Sequence, residues 1–122
     1  MSSFNKYPHV FSPIKIGGME VKNRMQFSPM VSSLSTPTGG VSPELLGYIK
    51  YQAQSGVGVI TIGSTPINHT NGVDFFGALD VTSDDNMTDL RRISETVHRY
   101  GAKISCELVH AGRSAPKQFR PN

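Results

Sequence analysis

Residues 42–62 read Ser42-Pro43-Glu44-Leu45-Leu46-Gly47-Tyr48-Ile49-Lys50-Tyr51-Gln52-Ala53-Gln54-Ser55-Gly56-Val57-Gly58-Val59-Ile60-Thr61-Ile62. The first three residues specify a helix start: a hydroxyl to cap, Pro at the first helical position and an acid facing the positive end of the helix dipole. Leu45, Leu46, Ile49 and Ala53 then recur at helical spacing, and Gly56 closes the element. Val57 to Ile62 follows as a nearly continuous apolar strand, the pattern of a strand covered on both faces. A helix feeding directly into a buried strand is one unit of a parallel β/α fold.

The same alternation extends outward. Arg24 to Ser28 reads as an earlier strand stopped by Pro29, which has no backbone donor to continue a ladder, and Pro29 to Val41 is loop. Downstream, Gly63 to Asp84 is an irregular stretch rich in Gly, Thr, Asn and Asp, long enough to carry substrate contacts. A second helix is expected from Asp85 to Tyr100, with Met87, Leu90, Ile93 and Val97 on one face and a Glu95 to Arg99 pair on another. Lys103 to Val109 makes the third strand. Ahead of this repeat, Ile14-Lys15-Ile16 and Met19-Glu20-Val21 flank Gly17-Gly18 as a small, lid-like hairpin whose glycines supply positive φ. The expected fold class is α/β: the N-terminal part of an eight-stranded β/α barrel, preceded by a β-hairpin. A whole barrel takes about 250 residues, so residues 1–122 read as an incomplete domain.

Composition removes several functions. The net charge of +3 is spread over single Lys and Arg residues with no basic run, which argues against nucleic-acid binding. No stretch approaches the roughly 20 apolar residues of a membrane span, and Met1-Ser2-Ser3-Phe4-Asn5-Lys6 lacks the apolar core of a signal peptide. Membrane attachment is not expected, and a cytoplasmic location is. The single Cys106 agrees with a reducing compartment and is expected to pack within its strand. His69 and His98 have no ligand-like partner spacing, so no metal site is assigned.

Five motifs stand in order: Phe11-Ser12-Pro13-Ile14-Lys15-Ile16-Gly17, Val21-Lys22-Asn23-Arg24, Ser28-Pro29-Met30, Gly56-Val57-Gly58-Val59-Ile60 and His110-Ala111-Gly112-Arg113. Together, across Phe11 to Arg113, they resemble the old yellow enzyme family, and within it the bacterial branch of NADH:flavin oxidoreductases that includes 2,4-dienoyl-CoA and enoate reductases. The resemblance implies an FMN-binding β/α barrel whose flavin takes hydride from NADH or NADPH and passes it to an electron-poor carbon–carbon double bond.

The resemblance places Pro29, Met30 and Val31 beside the flavin ring. Relatives often carry Thr or Cys at the Val31 position, and a valine has no proton to donate there. Ser64, in Gly63-Ser64-Thr65, matches a segment whose backbone amides reach the flavin; by itself the segment equally fits an ordinary turn. Glu107 stands where many relatives have Gln facing the pyrimidine edge. An ionised carboxylate only accepts hydrogen bonds, so Glu107 could take the N3 hydrogen while repelling negative charge on the reduced ring. The alternative is a carboxylate paired with Lys103 or Arg113.

His110 and Arg113 read as hydrogen-bonded structure bracing the loops. The family's catalytic residues and phosphate site are expected beyond Asn122, as is any 4Fe-4S cluster of the larger members. Two other readings stay open: a non-redox phosphate-binding barrel enzyme, or a non-catalytic fragment needing the missing half. The open inner face of the sheet is expected to be apolar, so a homo-oligomer or association with the rest of the barrel is anticipated, with a small molecule as substrate. The isolated chain is expected to be inactive and to hold FMN weakly or not at all.

Overall fold

The computed structural model describes residues 6–119; the N-terminal Met1 to Asn5 stretch, weighed above as a signal peptide, lies outside them. Three parallel strands in the order β3-β4-β5 form the sheet, with β3 at Gln26–Phe27, β4 at Val59–Pro66 and β5 at Lys103–Val109. Helix α2 (Pro43–Gln54) and helix α3 (Met87–Arg99) connect them on one side. A short helix α1 (Pro8–Phe11), not anticipated from sequence, and the antiparallel hairpin β1 (Ile14–Ile16) and β2 (Met19–Val21) precede the sheet.

Local chemistry sets these elements. The Ser42 hydroxyl accepts from the Leu45 amide at 3.0 Å and donates to the Leu34 carbonyl, capping α2 while tying it to the loop before it. The amphipathic pattern of α3 is as read, but a turn of 3₁₀ helix at Asp84–Asn86 precedes it, with the Ser83 hydroxyl accepting from Asp85. Its ion pair joins Asp89 to Arg92 at 2.7 Å; among the described residues there is no Glu95–Arg99 pair. In the hairpin, positive φ falls on Gly17 (60°) and not on Gly18.

The hairpin is a floor, not a lid. Asn23 donates to the Gly56 carbonyl at 2.8 Å, Lys22 to the Tyr100 carbonyl at 2.6 Å, and Val21 packs on Gly58, all at the N-terminal ends of the strands. Loops at the opposite, C-terminal ends are left free to build a site, as in β/α barrels generally.

Two strand lengths depart from expectation. The first strand is two residues rather than Arg24 to Ser28, because the Arg24 amide is taken by the Val10 carbonyl and the Met25 amide by the Asn23 side chain. The second begins at Val59 and runs on to Pro66, four residues past Ile62. A bulge between Ile62 and Thr65 absorbs the extra length, after which Thr65 pairs with Leu108 and Pro66 with Val109. The Gly63–Ser64 peptide bond within it is cis.

The two faces of the sheet differ. Toward the helices, Ile60 is fully buried among Leu45, Ile49, Ile93 and Val97, with Phe27, Ile62 and Ile104 packed at the margin. Burying each such side chain contributes about 1.5–3 kcal/mol. On the other face the Gln26 amide donates to the Thr61 hydroxyl at 2.7 Å, and that hydroxyl meets the Ser105 hydroxyl at 2.9 Å. The inner face therefore carries a polar ladder, which corrects the expectation of an apolar surface. Leu108 on the edge strand β5 is 64% accessible, one of several exposed large apolar side chains that also include Tyr51 and Phe76.

Candidate functional site at the strand ends

The C-terminal ends of all three strands border one open cavity of about 390 Å³, lined by Pro29, Val31, Gly63, Ser64, Asp74, Glu107, Leu108 and Val109. Pro29 and Val31 arrive from the loop after β3, Gly63 and Ser64 from the β4 bulge, and Glu107 from β5. Four of the five residues anticipated at a flavin ring thus share one cavity. The fifth, Met30, does not line it; it borders a narrow crevice with Phe27, Tyr48 and Ile49 and is 57% exposed. Alternation after Pro29 sends neighbouring side chains to opposite sides, so Met30 and Val31 cannot both face the same space.

Gly63 lets the walls meet. A Cβ there would lie 2.5 Å from the Pro29 Cβ and 2.7 Å from the Glu107 carboxylate, both inside van der Waals contact. The backbone of β4 is therefore the floor on which the Glu107 side chain rests. Thr65, fully buried, donates to the Glu107 carbonyl at 2.9 Å and fixes β5 at this point. Among the described residues Glu107 forms no ion pair, so pairing with Lys103 or Arg113 is not present.

Sequence reasoning missed Asp74. The Ser64 hydroxyl donates to Asp74 Oδ2 across the cavity wall, while Asp74 Oδ1 is buried without a hydrogen-bond partner among the described residues. One signal was available: Asp74 is the only acid or base of fixed charge between Gly63 and Leu79. An isolated charge in a long polar loop beside strand ends deserves a role.

The loops around the cavity are tied down by a second acid. Asp80 accepts from the Thr82 amide at 2.8 Å and hydroxyl at 2.7 Å, and its own amide donates to the Gly39 carbonyl at 2.8 Å. Burial alone would raise the Asp80 carboxyl pKa; the Thr82 bonds, His69 and the Ser83 amide outweigh it and hold the carboxyl below the usual carboxylate value. His69 Nε2 lies 3.5 Å from the Ala78 carbonyl in the same loop. His110 accepts from the Gly112 amide at 3.1 Å and lies against Gly72. Neither His110 nor Arg113 lines the cavity.

Cys106 does not pack inside as anticipated. It is solvent-accessible on the edge strand, yet the protein around its sulfur pushes the thiol pKa up, with a Thr65 hydrogen bond acting in the other direction. Among the described residues no group of three or more His, Cys, Asp or Glu could hold a metal ion, and no helix is long and apolar enough to cross a membrane.

Parallel strands, a hairpin floor and a strand-end cavity suit the family suggested by the motifs, and a model of the NADH:flavin oxidoreductase / NADH oxidase family matches residues 9–122. The chain belongs to this family. It is 34% identical to an NADH oxidase of Thermoanaerobacter brockii over 107 residues, covering 88% of this chain and 16% of that protein. Against an NADPH dehydrogenase of Halalkalibacterium halodurans the identity is 31%, covering 87% of this chain and 31% of the relative. The structure superposes on old yellow enzyme from Pichia sp. AKU4542 with a TM-score of 0.80 at 28% identity, covering 88% of this chain and 28% of that one. The chain thus spans between 16% and 31% of the length of these relatives, and its fold is the N-terminal portion of their α/β barrel.

The family's members are FMN-dependent NAD(P)H oxidoreductases, and the cavity's features fit the ring part of FMN. Pro29 and Val31 give an apolar wall, Gly63 lets the Pro29 and Glu107 side chains close together over the strand end, and Ser64 and Glu107 supply polar atoms at the rim.

Proposed function

We propose that residues 1–122 form the flavin-ring-holding segment, an incomplete domain, of an FMN-dependent ene reductase acting on enones, enoates or enoyl thioesters, in the branch of 2,4-dienoyl-CoA and enoate reductases. The observation that carries this reading is the convergence of Pro29, Val31, Ser64 and Glu107 on one strand-end cavity floored by Gly63. Pro29 and Val31 would pack on the ring and exclude water from that side. Ser64 and Glu107 would meet its polar edge, with Glu107 accepting the N3 hydrogen. Val31, having no side-chain proton, leaves the ring untouched by a hydroxyl or thiol at that position.

FMN, when bound, supplies two-electron transfer between a reduced nicotinamide and an activated double bond. The groups that bind the FMN phosphate, hold the substrate carbonyl and deliver a proton would come from sequence outside this chain. In this reading the other barrel strands pair with the exposed β5 edge, and the whole protein works in the cytoplasm on a small-molecule substrate.

The test is to express the complete reading frame and examine the purified protein for flavin absorbance, then for NADH- or NADPH-driven saturation of an α,β-unsaturated ketone. Under anaerobic conditions, a yellow protein that consumes nicotinamide only with the enone present is the expected result. A colourless protein that takes up no FMN overturns the reading.

A further inference from the structure

Asp74 is the one ionisable group at the cavity that neither the motifs nor the family resemblance account for. Three observations bear on its role. It lines the cavity together with Glu107. It takes the Ser64 hydroxyl proton in a hydrogen bond on Oδ2. Its other oxygen is buried and has no partner among the described residues. A carboxylate oxygen left unpaired inside protein is costly, and persists where the position serves something other than stability.

Resting on the flavin reading above, we propose that Asp74 is a positioning residue that sets the electrostatics of the ring site. Because the Ser64 proton points at Asp74, the Ser64 oxygen can offer only lone pairs to the cavity. Glu107, Asp74 and Ser64 then make a rim composed of acceptors, carrying two negative charges and no compensating cation among the residues that line it. Such a rim welcomes an N–H donor from an oxidised ring and disfavours the extra electron density of a reduced one. The site therefore holds its flavin at a low potential, and Asp74 contributes to that through charge and through the orientation of Ser64.

The experiment is a reductive titration of the full-length, FMN-loaded protein against a dye of known potential, with Asp74→Asn and Ser64→Ala beside the parent. Removing the charge in Asp74→Asn should raise the preference for reduced over oxidised FMN on the order of tenfold, the effect of a unit charge within about 10 Å at an effective dielectric of about 20. Ser64→Ala acts in the same direction by less: it removes one acceptor of the rim, leaves the Asp74 charge in place and raises the potential by a smaller amount. Ser64→Ala keeps the test decisive if Asp74→Asn does not fold. An unchanged potential in Asp74→Asn with FMN still bound, equal weakening of both oxidation states, or an unchanged or lowered potential in Ser64→Ala overturns the role of Asp74. A parent protein that binds no FMN overturns the flavin reading instead, so the two failures are separable.

Discussion

The two faces of this sheet are built from the same three strands and obey different chemistry. Toward the helices, Phe27, Ile60, Ile62 and Ile104 meet side chains of α2 and α3 in a dry core. Toward the barrel interior, Gln26, Thr61 and Ser105 form a chain of side-chain hydrogen bonds across the strands. The apolar face holds the β/α units together, whereas the polar face needs no cover to be compatible with water. Association through an open apolar interior was the expectation for part of a barrel; Gln26, Thr61 and Ser105 make that face polar where they stand. At the β5 edge around Leu108, ladder groups and an apolar side chain are exposed together.

The sharpest way to break this contrast is to cut into each face in turn. Ile60→Ala, at a fully buried position, should destabilise the chain by about 2–5 kcal/mol in chemical denaturation. Gly63→Ala should cost about 1–3 kcal/mol by overpacking against Pro29 and Glu107. Thr61→Val, which breaks the polar ladder without changing side-chain volume much, should cost only about 0.5–1.5 kcal/mol. If Thr61→Val proves as damaging as Ile60→Ala, the two faces are not energetically distinct and the contrast fails.

A pH titration sharpens the comparison between core and loops. The Asp80 carboxyl has a lowered pKa in the folded chain, so its contribution to stability is present above the ordinary carboxylate value near 4 and is lost as pH falls through the lower folded value. Stability should therefore decline on acidification from about pH 4 downward, and Asp80→Asn should flatten that decline. An Asp80→Asn variant with the parent's acid profile would mean that other carboxylates govern it. The smallest effect expected is on association: any concentration-dependent self-association of the 122-residue chain in sedimentation equilibrium should weaken in Leu108→Lys and be unaffected by Ser105→Ala.

What could be read in advance follows from how local the determining physics is. Helix α2 was legible because its cap, its first-turn Pro and its closing Gly act within a few residues, and β5 because its apolar run is bounded by Gly101 and the His110-Ala111-Gly112 turn. The extension of β4 through Gly63-Ser64-Thr65-Pro66 was not, since those residues signal a turn locally and become a strand only by pairing with Leu108 and Val109 some forty residues later. The short β3 has the same origin, because its lost donors go to Val10 and to the Asn23 side chain. At the site, residues fixed by strand ends, Pro29, Ser64 and Glu107, were anticipated. Asp74 was not, because its contact with Ser64 depends on the path of a loop that no periodicity encodes.

In the proposed function Glu107, resting on Gly63 at the end of β5, faces the polar edge of a flavin. Redox titration of Glu107→Gln in the full-length, FMN-loaded protein tests it most directly. Removing a negative charge at the ring edge should make the flavin easier to reduce, moving the midpoint potential upward. A potential identical to the parent's, with FMN still bound at full stoichiometry, would place Glu107 away from the ring and contradict the account.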